Sequence, residues 1–193
     1  MNFKTKDIIL VALFAALTAI GGRISFTIYL VPLTLQLFFC LFAGMLLGSK
    51  LGMTSQLVYV LLGLLGVPVF ANGGGPSYVL NPTFGYLIGF IISAYTMGKI
   101  VESLKEISLT KMIIATSAGF TISYAIGIPY FYLIYNFYLG KPLPFITSVT
   151  MMIPYMIKDI ALASIVALTA WKVLPLLRRT GVATFPGTSQ KSS

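Results

Sequence analysis

The chain has 193 residues, of which 58% are hydrophobic and only 9% charged, against roughly 25% charged in an ordinary soluble domain. Its net charge of +9 comes from thirteen Lys/Arg and four acids, but the cations lie mainly between apolar runs and form no stripe interleaved with aromatics, which sets nucleic-acid binding aside. There is no histidine and Cys40 is the only cysteine, so an intrachain disulfide, a cysteine metal cluster, an HExxH zinc site and His-dependent nucleophiles are excluded.

This composition predicts an all-α integral membrane protein, and six spans can be drawn along the chain. The first, at about 7–22, follows Lys4 and Lys6. Its charged start resembles a signal peptide, but the membrane-length runs that follow read it as a first span and not a cleaved leader. It carries Ala12, Ala15, Ala16 and Ala19 at i, i+3, i+4, i+7 spacing, a smooth face where another helix can approach closely. From the residues alone, packing within the same chain is the simpler use of that face.

The connection GGRISFTIYLVPLT leads to a second span at about 33–48 and a third at about 52–66. Both are short of the roughly 20 residues a helix needs to cross hydrocarbon, so they must be packed inside the bundle or be shallow. The Gly/Pro/Asn-rich segment GVPVFANGGGPSYVLNP precedes a fourth span at about 83–101. The fifth, about 111–137, ends in the aromatic run PYFYLIYNFY, which reads as an interfacial belt. The sixth, about 146–176, is bent or started by Pro154. One transmembrane domain over 1–178 and a polar, disordered tail over 179–193 complete the expected organisation.

With six spans, one side of the membrane holds Lys4, Lys6, Lys50, Lys99, Lys105, Lys111, Lys172, Arg178, Arg179 and Lys191. The other keeps only Arg23, Lys141 and Lys158. The positive-inside rule then places both termini in the cytoplasm. Asp7, Glu102 and Glu106 fall on the cytoplasmic side too, leaving Asp159 as the one acid near the outer half.

Lys158 and Asp159 are the only ionisable charges in the apolar stretch from Phe145 to Trp171. A charge at the centre of a membrane helix costs roughly 2.5–3.5 kcal/mol on insertion scales, so such residues usually face a cavity, a partner or a ligand. Adjacent helical residues point about 100° apart, so the two can line a concave wall and present a cation and an anion to different parts of one solute. The alternative is structural: they neutralise each other, or Lys158 snorkels outward while Asp159 caps backbone amides.

Two outer segments, VPLTLQ (Val31 to Gln36) and Val67 to Phe90, place Pro, Gly, Asn and Thr beside spans. Irregular backbone near membrane depth needs its polar groups paired or wet, which happens where it lines a cavity. Thr34, Gln36, Asn72 and Asn81 offer donors and acceptors there. With the aromatic neighbours Phe70, Tyr78, Phe84 and Tyr86, these segments read as a binding lid.

VPLTLQ, GLLGVPVFANGGG and NPTFGYLIGF occur in that order, followed by a Pro-containing start to the sixth span with its Lys and Asp. Together they resemble the BioY family, the biotin-binding S components of energy-coupling factor (ECF) transporters, over about residues 5–176. The resemblance implies a six-helix S-component bundle in a prokaryotic cytoplasmic membrane. It captures biotin outside and delivers it with a transmembrane T protein and two ATPases, and it is not an enzyme. It implies no cofactor, biotin being the transported ligand, and as partners that module and membrane lipid. It makes the small face of the first helix, Ala12, Ala15, Ala16 and Ala19, the docking surface for the T protein. It also assigns Lys158, Asp159 and Asn81 to the vitamin. The chemistry of biotin then suggests further roles. Asp159 or Asn81 can accept from the ureido N–H groups, Lys158 or Arg23 can pair with the carboxylate, and aromatic side chains such as Tyr86 can enclose the ring. Asn72, Thr34 and Gln36 complete the expected polar set. No GxxxxGK[ST] loop is present, so energy must come from a partner. The rival readings are an S component for thiamine, riboflavin or pantothenate, and a small membrane scaffold with a structural Lys-Asp pair.

Overall fold

The structure, a computed structural model, describes residues 4–28 and 31–179. The tail expected to be disordered lies, from residue 180 onward, outside the described residues. In hydrocarbon a backbone must satisfy its own N–H and C=O groups, and long runs of Leu, Ile, Val, Ala and Phe do so as helices. Those runs form α1 (Thr5–Arg23), α2 (Gln36–Leu64), α3 (Phe84–Ser103), α4 (Leu109–Leu133), the short α5 (Phe145–Thr150) and α6 (Ile153–Arg179). Between α1 and α2 lie two strands, β1 (Ser25–Ile28) and β2 (Val31–Thr34). A 3-10 turn at Pro76–Leu80 precedes α3, and a π-helical turn at Ile134–Tyr138 extends α4. Among the described residues, five stretches are long and apolar enough to cross a membrane: Thr5–Arg23, Gln36–Leu64, Phe84–Ser103, Leu109–Tyr138 and Phe145–Leu177.

The second and third expected spans are the two halves of α2, 36–47 and 49–64, joined without a loop at Gly48. Gly48 has φ 82° and ψ −177°, a conformation that a side chain would strain. The halves fold back on each other. Gln36 hydrogen-bonds Tyr59, although 23 residues of straight helix would separate them by about 34 Å. A Cβ on Gly52 would stand 2.8 Å from the Cα of Gly44. Gly98 of α3 backs onto this reversal, where a side chain would collide with the Ser49 backbone. Glu102 then closes it: the Ser49 N–H donates to Oε1 at 2.7 Å and the Ser49 hydroxyl at 2.8 Å. A carboxylate from α3 thereby satisfies orphan donors at the start of the second half of α2.

VPLT, expected as irregular backbone, is strand β2. It pairs antiparallel with β1, Ser25 opposite Thr34 and Phe26 opposite Leu33. Pro32 argues against a strand in sequence but is tolerated here, because a two-stranded hairpin has only edges.

Helix α1 buries Val11, Phe14, Ala15, Thr18, Gly21 and Gly22. This divides the alanine stripe. Ala12 and Ala16 are exposed beside Leu13 and Ile20, Ala19 is half-buried, and Ala15 is 5% exposed within the chain's own core. A four-residue stripe is about 100° wide, and its Ala15 edge turns into the bundle. The innermost core joins Leu41 and Met45 of α2, Ala94 and Met97 of α3, Met112 of α4 and Val166 of α6.

Candidate functional site

The site is built on the start of α6. Pro154 occupies the first turn, where its missing N–H costs no helical hydrogen bond. Met152 in the turn just before the helix, then Tyr155, Lys158 and Asp159, follow helical spacing and share one face. That face walls a cavity with about 600 Å³ of empty space, open solvent at its mouth included. The hairpin contributes Val31, Pro32 and Thr34, α2 contributes Gln36 and Leu37, and the 65–83 segment contributes Ala71, Tyr78 and Thr83. Tyr86, Leu87 and Phe90 of α3 and Tyr124 of α4 close the far side.

Lys158 Nζ lies 2.7 Å from Asp159 Oδ1, with the two side chains 21% and 8% exposed. Lys158 also donates to the Thr34 carbonyl, and Tyr124 donates its hydroxyl to Asp159 Oδ2 at 2.7 Å. A buried ion pair is tolerable only when its remaining donors and acceptors are met, and here they come from β2 and α4. Beside the pair, the Tyr86 hydroxyl is buried and has no hydrogen-bond partner among the described residues. Its ring sits in the slot left by Gly127, where a side chain would collide with it, and meets Tyr124 edge-on at 5.6 Å. An orphaned buried hydroxyl beside a cavity is a group that a bound solute can satisfy.

Thr34 and Gln36 line the wall, but their side chains serve each other. The Thr34 hydroxyl donates to Gln36 Oε1 at 2.9 Å, Gln36 Nε2 donates to Tyr59, and Tyr59 donates to the Val69 carbonyl at 3.3 Å. The 65–83 segment is anchored rather than loose. Phe70 is fully buried in the gap at Gly63, Gly75 N–H donates to the Gly63 carbonyl at 2.7 Å, and Tyr130 donates to the Val79 carbonyl. Burial pushes the Tyr78 phenol up, against the hydrogen bonds from Thr83 and the Asn72 backbone, so it stays protonated at neutral pH.

Of the residues expected at the site, the structure brings Lys158, Asp159, Tyr86, Thr34 and Gln36 into one wall. Asn81, Asn72 and Arg23 are not in it. Asn81 Oδ1 instead accepts from the Thr83 N–H at 3.0 Å and hydroxyl at 2.8 Å, an Asx turn that sets Thr83 into the wall. Asn72 is exposed on the loop, and Arg23 is exposed at the end of α1. Sequence reading did not find Tyr124, Tyr155 or Met152. Tyr155 and Met152 lie at helical spacing from the charged pair and could have been inferred. Tyr124 gives no such signal, being 35 residues away on another helix.

The fold is thus a bundle of membrane-length helices with a cavity among their ends. The same fold is seen in the crystal structure of the S component for biotin from an ECF-type ABC transporter. The TM-score is 0.77 at 23% identity, covering 90% of this chain and 95% of that one. The sequence profile of the BioY family matches residues 1–179, and the chain belongs to that family. Among its relatives is the probable biotin transporter BioY of Lysinibacillus sphaericus, 45% identical over 137 residues, which are 71% of this chain and 70% of that protein. The putative biotin transporter BioYB of Bacillus subtilis strain 168 is 36% identical over 175 residues, 88% of each chain. The biotin transporter BioY of Thermotoga maritima is 39% identical over 135 residues, 69% of this chain and 76% of that one.

Proposed function

We propose that this chain is the substrate-capture S component of a biotin uptake system in a prokaryotic cytoplasmic membrane. The observation that carries the reading is the cavity itself. It sets a buried Lys158–Asp159 pair and the orphaned Tyr86 hydroxyl among Leu87, Phe90 and Met152, in a member of the BioY family. Biotin has a ureido ring with two N–H donors and one carbonyl, an apolar thioether ring and chain, and a carboxylate. Lys158 can meet an oxygen of the solute, Asp159 an N–H, and Tyr86 either, while the apolar wall takes the rings and chain.

Six crossings, with α2 counted twice about Gly48, fit the packing. The Ser49–Glu102 contact joins that reversal to the end of α3, near Lys50, Lys99 and Lys105 in sequence. The hairpin, the 65–83 segment and the start of α6 meet at the cavity end. We therefore read one domain over 1–178 with both termini cytoplasmic and the cavity facing outward. A T protein and two ATPases supply the energy, and the T protein docks on the exposed Ala12–Ala16 face of α1.

Calorimetric titration of the purified protein with biotin tests the reading, with thiamine, riboflavin and pantothenate as rivals. Tight binding of biotin alone is expected. Preference for another vitamin would reassign the substrate, and stabilisation by none of them would favour a scaffold with a structural ion pair.

A further inference from the structure

We infer that Tyr124 is a positioning residue of this site, holding one oxygen of Asp159 so that the other faces Lys158. The inference rests on the proposal that the cavity binds biotin, and deepens it. Lys158 and Asp159 are neighbours on α6 and point about 100° apart, so their contact requires the carboxylate to be turned to one side. The last torsion of an aspartate is broad and roughly two-fold, so α6 alone does not fix that turn. Tyr124 fixes it from α4: its hydroxyl meets Oδ2 at 2.7 Å while Lys158 meets Oδ1 at 2.7 Å.

The phenol itself has little freedom. Tyr124 is 5% exposed, and its ring packs against Phe120 at 4.8 Å and Tyr86 at 5.6 Å. Phenylalanine would fill the same space, so the hydroxyl contributes the bond to Asp159 and little else. A neutral donor also leaves the pair without net charge, which a second cation would not. One oxygen of Asp159 is thus committed to α4 and one to Lys158, and the carboxylate meets a solute in a single orientation. Tyr124 acts on the solute through Asp159.

The test uses Tyr124→Phe, Asp159→Asn and the double variant of the full chain in detergent. Asp7 and Asp159 are the only two aspartates, so isotope labelling of the aspartate carboxyl carbon gives two resonances. Tyr124→Phe is expected to move the Asp159 resonance and leave that of Asp7, with or without ligand. It should weaken biotin binding about tenfold, as loss of a hydrogen bond to a charged group does. In the Asp159→Asn background it should change affinity by less than about twofold, because the two act as one unit. The ligand-free melting temperature separates positioning from folding, since a packing role would lower it without moving the resonance. An unmoved Asp159 resonance, or effects of the two substitutions that multiply, overturns the inference. If the wild type fails to bind biotin, the functional proposal falls, and the ligand-free resonance still decides the role of Tyr124.

Discussion

The Tyr155 hydroxyl donates to the Val31 carbonyl at 2.6 Å, tying the start of α6 to the hairpin 124 residues earlier. The face of α6 that carries the ion pair therefore also holds the wall opposite it. Tyr155→Phe removes one buried hydrogen bond, a loss of about 0.5–1.5 kcal/mol. Amide exchange should rise over β1 and β2 and stay unchanged in α3. Uniform exchange across both would contradict this role.

Lys158→Met strips the counterion from a carboxylate 8% exposed. Breaking a buried pair from one side costs roughly 3–5 kcal/mol, whereas replacing both partners with apolar groups can be neutral. The single variant should melt early, and Lys158→Met with Asp159→Leu should recover most of that loss. Neither should bind biotin. Thermal unfolding and titration of the same samples separate stability from recognition.

Tyr86→Phe makes the opposite prediction. Its hydroxyl has no partner among the described residues, so removing it should leave the ligand-free melting temperature unchanged or slightly raised. Biotin affinity should fall about tenfold, the value of one well-placed hydrogen bond of roughly 1.4 kcal/mol. Lowered stability with unchanged Kd would remove Tyr86 from the site.

Two alanines one residue apart on α1 should behave differently. Ala16→Trp lies on the exposed face and should spare biotin binding while preventing co-purification with the T protein. Ala15→Trp places an indole in a core position 5% exposed and should destabilise the chain itself. Equal loss of folding in both would argue against a separate docking face.

Gly48→Ala forces a side chain into φ 82°, ψ −177° at a cost of about 1–3 kcal/mol, and Glu102→Gln weakens the cap on Ser49 by about 1 kcal/mol. Both should lower the unfolding midpoint with little change in biotin affinity. Altered affinity would mean that the α2 reversal communicates with the cavity.

Much of this was legible in the residues. Lys158 and Asp159 announce themselves because charges in an apolar span are costly, and the spans at about 33–48 and 52–66 were visibly short of a full crossing. What could not be read was how they join, since Gly48 differs from Gly44 and Gly52 only in its backbone angles. Pro32 concealed the hairpin, because proline is a strand breaker everywhere except at an edge. Asn81 was expected to touch the solute, but an asparagine before Pro-Thr can equally serve its own turn, and here it does. Tyr124 was invisible for a simpler reason: one hydroxyl in the middle of an apolar helix has no sequence mark to show which helix it meets.

The neutrality of the Lys158–Asp159 pair also bears on the work of transport. On the proposed function, the Lys158–Asp159 pair is neutral in sum, whereas biotin brings a carboxylate that the pair leaves uncompensated. The loaded subunit is thus electrically distinct from the unloaded one. Carrying that single negative charge into a cell whose interior is negative costs about 2.3 kcal/mol for each 100 mV. The electrical load would fall on delivery of the ligand, the step that the partner ATPases are proposed to drive.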